Sequence, residues 1–436
     1  MKLAVFTSWY PARITTFFER DMRALVEAGV ELEVFVIGPL DASMWSNTLD
    51  LLGPQHLPRN RVHHLTIPAS IVPALRTLVR HPLLSVADAW KVLSAAARQG
   101  RGPFAKSAYV FPKAWAWASQ YGDSGGGRGR FDHVLAYWGN YAGTCAYAFH
   151  RLTEARSKRR IPFSIWMHAG IDLYRDPIFL REKLLYADNI ITCCEFNQEF
   201  MAQLFPDAQR QIMAKVHVCH HGLDLARFPF RTDGRAPNRV IAVGRLRKHK
   251  GFDYLIRAAA VLAERGRDIT VELVGDGSER ENLRDLAAEL GILERVELRG
   301  WLSNADVMRA MSEAAVLVHP SEGLGDGLPN VVREAMAVGT PVIGSNVAGI
   351  PDALQDGCGV LVPPRDVAAL ADALDQLLAD PQKRHDIATH ARARVADHYD
   401  LWRNGARLAH LLESTRRGKR QSPAAGVPLA EPSPQC

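Results

Sequence analysis

The sequence predicts an α/β protein of more than one domain, and three observations carry that reading. The chain has 436 residues, too many for one hydrophobic core at about 100–200 residues per domain. Short apolar runs rich in β-branched residues alternate with helical patterns along most of its length. Glycines and prolines fall where one pattern gives way to the next, which is the punctuation of parallel βαβ units.

Composition narrows the class. A hydrophobic content of 47% and a charged content of 23% match a soluble globular protein, and no run approaches the roughly 20 apolar residues that span a bilayer. The start, MKLAVFTSWYPARITTF, reads as a first strand and its loop, not as a signal peptide. Six cysteines, at 145, 193, 194, 219, 358 and 436, lack CxxC or His-paired zinc spacing, so reduced structural thiols and a cytoplasmic location are expected. The net charge of +6 is uneven: Ser70 to Arg160 holds fourteen Lys or Arg against four Asp or Glu. Such a basic half suits nucleic acid, an anionic membrane surface or a solvated face. Nucleic acid is set aside, because there is no aromatic RNA-binding stretch and no recognition helix.

In chain order, Lys2 to Phe6 is the first strand, SWYPARITT a loop, Phe17 to Ala28 a helix closed by Gly29, and Leu32 to Ile37 the second strand. From Ile67 to Tyr121 the text is helical, basic and marked by Trp90, Trp115 and Trp117. It reads as an insertion of amphipathic helices, either packed with basic exposed sides or lying on a membrane through Trp and cationic residues. GDSGGGRG, 122–129, is a loop. Phe131 to Tyr137 and Ile161 to Met167 are strands, the latter ending in His168 with Asp172 close behind. A histidine where a strand meets a loop borders the crevice in which α/β sheets bind ligands. Strands at Asn189 to Cys193 and Val216 to Cys219 flank a helix near Phe196 to Phe205. The adjacent His220 and His221 lack a carboxylate or cysteine at ligand spacing, so no metal is expected there.

The polar stretch Phe230 to Asn238 is read as a linker, and Arg239 to Val243 opens a second domain. Gly244-Arg245-Leu246-Arg247-Lys248-His249-Lys250-Gly251 follows that strand. There an arginine fork and a lysine point charge suit a diphosphate. After a helix from Phe252 to Glu264 and a strand from Ile269 to Val274, the turn Gly275-Asp276-Gly277-Ser278 has too few glycines for a dinucleotide fingerprint. The most ordered stretch is Ala314 to Ile343: a buried strand stopped by Pro320, then Gly323, Gly325 and Gly327, a helix with Pro329 in its first turn and Gly339 past its end, and the next strand. A glycine loop feeding a helix start offers unpaired N–H groups to phosphate. Asp326 and Glu334, eight positions apart, can face the same ligand. Gly357 to Val362 is a last strand, Asp366 to Leu378 and Leu401 to Leu412 are helices, and the Pro-rich tail from Arg416 should be disordered.

The segment PSEGLGDGLPNVVREAMAVGTPVI resembles the E-x7-E segment of family-4 retaining glycosyltransferases, and Gly244 to Gly251 is similar to that family's G-R-L-x-x-x-K-G motif. The loop from Tyr10-Pro11 to Thr16-Phe17 resembles the branch that makes bacterial exopolysaccharides, with Arg13-Ile14-Thr15-Thr16 where relatives often carry glycines. The resemblance implies the GT-B fold, two facing Rossmann-like domains with a cleft between them. They would be an acceptor-binding domain at 1–229 and a nucleotide-sugar-binding domain at 239–395, with a helix at 396–415 packing back on the first. It further implies that Glu334 holds the ribose hydroxyls. Asp326, with one methylene fewer than the usual Glu, would contact the donor sugar, with Glu322 as a rival. Arg245 and Lys250 would clamp the diphosphate. His168, the match to the H-G-x-D turn, would stand beside the transferring centre. Gly327, Leu328, Pro329 and Asn330 would cradle the donor, and Gly275 and Gly277 would flank the base.

The function so implied is transfer of a sugar from a UDP- or GDP-sugar to a saccharide or lipid-linked saccharide hydroxyl with retention, in bacterial polysaccharide or glycolipid synthesis. No cofactor or metal is expected, since there is no Asp-x-Asp to hold one. Peripheral contact with the anionic inner face of the plasma membrane is a further expectation. The rival readings are a non-catalytic sugar-nucleotide-binding subunit, a sugar-nucleotide epimerase, and a phosphorylase, whose cofactor lysine is not found.

Overall fold

The computed structural model describes residues 1–11, 16–40, 57–122, 130–174, 177–325 and 327–416. Two parallel sheets organise them. The first contains β1 (Lys2–Thr7), β2 (Glu31–Val36), β3 (Val62–His64), β4 (His133–Ala136), β5 (Phe163–Met167), β6 (Asn189–Thr192) and β7 (Val216–Val218), ordered β3-β2-β1-β4-β5-β6-β7. Its helices are α1 (Thr16–Glu27), α2 (Ile67–Arg80), α3 (Pro82–Arg98), α4 (Arg101–Tyr121), α5 (Tyr141–Ser157), α6 (Leu180–Tyr186), α7 (Glu195–Leu204) and α8 (Gln209–Met213). The second sheet contains β8 (Ala236–Val243), β9 (Thr270–Val274), β10 (Val296–Gly300), β11 (Ala314–His319), β12 (Val342–Ser345) and β13 (Val360–Val362), ordered β10-β9-β8-β11-β12-β13. Around it lie α9 (Phe252–Glu264), α10 (Arg280–Glu289), α11 (Asn304–Glu313), α12 (Asn330–Val338), α13 (Ile350–Leu354), α14 (Val367–Ala379) and α15 (Pro381–His398), and the last helix among the described residues is α16 (Leu401–Arg416).

In each sheet the winding direction reverses beside the first strand, between β1 and β4 and between β8 and β11. A reversal of this kind opens a crevice at the carboxyl ends of the strands. The strands can be continuous apolar runs because helices cover both faces; β1 is buried from Leu3 through Thr7. Helix α1 turns Phe18, Met22 and Leu25 onto the first sheet, and α16 adds Leu408 and Leu412 to the same cluster. Asn404 Nδ2 donates to His220 O at 3.2 Å, and Asn189 Nδ2 to Thr415 Oγ1 at 2.7 Å. Helix α16 is thus tied to the first sheet.

Several sequence expectations need correction. The stretch 67–121 is not simply an insertion: α4 belongs to the crossover that joins β3 to β4, and its Val110, Phe111, Ala114 and Trp117 pack in the first core with Phe6, Phe35 and Phe149. Trp117 is fully buried and Trp90 is 73% exposed, so the tryptophans do not form one membrane belt. Strand β3 is too short for a periodicity to show. The linker shrinks, because Ala236 to Asn238 already belong to β8. Helix α15 was not read, since its buried stripe of Ile387, Ala388, Ala391 and Val395 is interrupted by charged residues. Pro329 is the N-cap of α12, one position before the helical turn. The tail beyond Arg416, residues 12–15 of the first loop and 123–129 of the glycine stretch lie outside the described residues. No helix among the described residues is long and apolar enough to cross a membrane.

Candidate active site

The two crevices meet through backbone. A Cβ placed on Gly327, in the loop after β11, would lie 3.1 Å from Ala169 Cβ, 3.5 Å from His168 O and 3.6 Å from Cys193 Sγ, all at strand ends of the first sheet. A larger residue at Gly327 would need Ala169 to give by a few tenths of an ångström. Gly349 N donates to Gly327 O at 2.9 Å and fixes the loop from behind. Leu328 and Pro329 are buried, and Asn330 starts α12. Asp326 lies outside the described residues.

His168 follows β5 and is 5% exposed. Its ring lies 4.4 Å from that of Trp138 and stacks on His221 at 5.0 Å, with the planes 8° apart. Neither ring nitrogen has a hydrogen-bond partner among the described residues, and Asp172 Oδ2 stands 3.8 Å from Nδ1. A buried polar ring left unsatisfied in this way is costly unless a ligand or water completes it.

His221 is tied to Asp21 by a 2.6 Å bond from Nδ1, and Asp21 also accepts from the Tyr137 hydroxyl. Burial pulls the imidazole down, but the Asp21 charge and hydrogen bond, with Cys193 beside it, outweigh that and lift it to about 9. A value raised above the unfolded one stabilises the fold fully below pH about 6.5, and the benefit fades as the pH rises through about 9. The thiol of Cys193 is shifted down beside it and loses its proton in the fold over the same window, so the two contributions to the pH dependence of stability offset one another. Cys193 is shifted the other way, downward, by a hydrogen bond with Cys194 and by His221. His220 points elsewhere, to Cys193 O at 2.9 Å, so the adjacent histidines do not form one ligand pair.

Lys250 and Arg245 leave the same strand end but differ in setting. Lys250 is 9% exposed, whereas Arg245 faces solvent. The basic loop is bonded to the glycine loop, since Glu322 N and Ser321 Oγ both donate to His249 O, at 3.0 and 3.1 Å. The Glu322 carboxylate turns toward Arg365, at 3.6 Å. Gly275 has a φ of +129°, and a Cβ there would fall 2.0 Å from Gly244 O. Leu246 N donates to Asp276 O at 3.0 Å, and a Cβ on Gly277 would fall 2.3 Å from Leu246 O. These two glycines therefore have a packing reason of their own: they let the turn after β9 lie on the Arg245 loop.

On α12, Glu334 Oε1 accepts from Arg20 Nη2 of α1 at 2.7 Å, a bridge between the two sheets in which both side chains are 18% exposed. Arg333, fully buried, donates to His221 O and to Asn330 Oδ1 and lies 5.4 Å from the Tyr399 ring. Arg20, Asp21, Arg333 and Cys193 were missed in the sequence. A signal for Asp21 existed: it is an acid inside the apolar stripe of Phe17, Phe18, Met22 and Leu25.

Two facing Rossmann-like units with their crevices opposed are the GT-B architecture. The solved structure of Anabaena Alr3699/HepE in complex with UDP superposes with a TM-score of 0.66 at 18% identity, covering 95% of this chain and 99% of that one. The chain's second unit is a glycosyl transferases group 1 domain, whose family model matches residues 230–394. Among curated proteins, glycogen synthase of Mycobacterium tuberculosis is 32% identical over 248 residues, 56% of this chain and 58% of that protein. Amylovoran biosynthesis glycosyltransferase AmsK of Erwinia amylovora is 27% identical over 299 residues, 65% of this chain and 70% of that protein. The chain thus spans little more than half of the first of these relatives.

Proposed function

We propose that the protein transfers a sugar from a nucleoside diphosphate sugar to a saccharide or lipid-linked saccharide hydroxyl, with retention at the anomeric carbon, in bacterial polysaccharide or glycolipid synthesis. The observation that carries this reading is the meeting of the Gly327 loop with His168 to Gly170, within a chain whose second unit is a group 1 domain. In this reading the diphosphate lies on the Arg245–Lys250 loop and at the start of α12. There two cations and backbone amides stabilise the charge that develops on the leaving group, where preformed donors act most strongly. The unpartnered His168 ring faces the sugar, and Asp326 contacts it from the donor loop. Glu334 keeps Oε1 on Arg20 and offers its second oxygen to the ribose. The base is uracil or guanine. The contact of the two units excludes water and so suppresses donor hydrolysis.

The test is to offer UDP- and GDP-sugars with and without a saccharide acceptor, follow nucleotide release, and read the anomeric configuration of the product by NMR. Acceptor-dependent release with a retained centre supports the proposal. Conversion of the donor sugar without acceptor would make the protein an epimerase, and binding without any turnover would make it a sugar-nucleotide-binding subunit.

A further inference from the structure

Helices α2 and α3 are built inside out. Their buried positions are small or polar: Ser70, Ala74 and Thr77 on α2, and Ser85, Asp88, Val92 and Ala96 on α3. Leu84 and Leu93 pack on the first core, but most of the large apolar side chains face solvent. On α2 these are Val72, Leu75 and Val79, at i, i+3 and i+7, exposed by 58%, 53% and 79%. On α3 they are Leu83, Val86 and Trp90 at the same spacing, exposed by 86%, 56% and 73%. That spacing gives each helix one outward apolar stripe, and an exposed patch of this kind marks an interaction surface.

Charge chooses the partner. Arg76, Arg80, Lys91, Arg98, Arg101 and Lys106 are all exposed on α2, α3 and the start of α4. The sole carboxylate between Ile67 and Tyr121, Asp88, is buried and held by Arg151 at 2.8 Å. The seventh cation, Lys113, is turned inward to Ile37 O at 2.5 Å. An outer face with apolar stripes, six cations and no acid repels a second copy of itself, and nucleic acid would leave the stripes in water. We infer that this face docks on an anionic bilayer, with the α2–α3 corner from Val79 to Leu83 entering the headgroup–acyl boundary and the cations on the phosphates. Helix α2 begins just past the carboxyl end of β3, on the side of the first sheet where the crevice opens, and carries the chain from there to the docking corner. A lipid-linked acceptor would be presented there, although the docking itself does not depend on the transfer activity.

The test is co-sedimentation of the full chain with phosphatidylcholine vesicles and with vesicles containing phosphatidylglycerol, at about 0.05 and 0.5 M salt. Two variants accompany the wild type: Val79→Ser/Leu83→Ser/Trp90→Ser, and Arg76→Gln/Arg80→Gln/Lys91→Gln. All six side chains are solvent-facing, so both variants should melt with the wild type. The expected result is binding to anionic vesicles only, weakened by salt, and weaker by about fivefold for each cation removed. The apolar variant should lose at least tenfold. Three results would overturn the inference: no binding to anionic vesicles at low salt, undiminished binding by the apolar variant, or self-association in solution without vesicle binding.

Discussion

Lys250→Ala is expected to slow sugar transfer by about 10²–10³-fold, the usual cost of removing one preorganised donor from a developing oxyanion. The lysine suits that role because it is buried at the end of β8 within a loop bonded to the glycine loop. Its charge therefore acts where water screens it little. Arg245, exposed on the same loop, should matter less in the apo protein and more once a diphosphate lies against it. Steady-state rates of Lys250→Ala, with near-UV circular dichroism to establish that the fold is kept, measure the effect. A rate within a few-fold of the wild type would remove Lys250 from the site.

Arg333→Ala is expected to cost about 2–3 kcal/mol of stability, the order of cost of leaving buried acceptors without their charged donor. The guanidinium joins α12 to the first unit through His221 O, holds Asn330 at the start of the helix, and lies on Tyr399. Truncation leaves His221 O without this donor and opens a cavity beside α12. Arg333→Lys should recover only part of the loss, since an ammonium cannot reach two partners set for a planar fork. Urea midpoints measure both. An unchanged midpoint in Arg333→Ala would mean that the contact between the units does not rest on this residue.

The fold was legible where local pattern and tertiary burial agree. Buried parallel strands such as β5 and β11 are unbroken apolar runs, and the Pro329–Gly339 bracket of α12 needs no knowledge of the rest of the chain. Lys250 and Glu334 were legible for the same reason, each standing in a short local motif. Arg20 and Arg333 were not, because on a helix they look like ordinary solvated charges. Their meaning comes only from a partner 314 residues away for Arg20 and 112 residues away for Arg333. Helices α2 and α3 were legible only in part: their apolar periodicity is real, but sequence spacing alone cannot say which side of a helix is wet, and the structure turns the stripe outward.

One measurement tests the nucleotide-sugar site most directly. A ligand that binds only the folded protein raises its melting temperature, so melting is followed with UDP, GDP, ADP and TDP, with and without Mg²⁺, on the wild type and on Lys250→Ala. A rise with one uracil or guanine nucleotide that disappears in Lys250→Ala is the expected result. No rise with any of the four, or the same rise in both proteins, would contradict a diphosphate site on the Arg245–Lys250 loop.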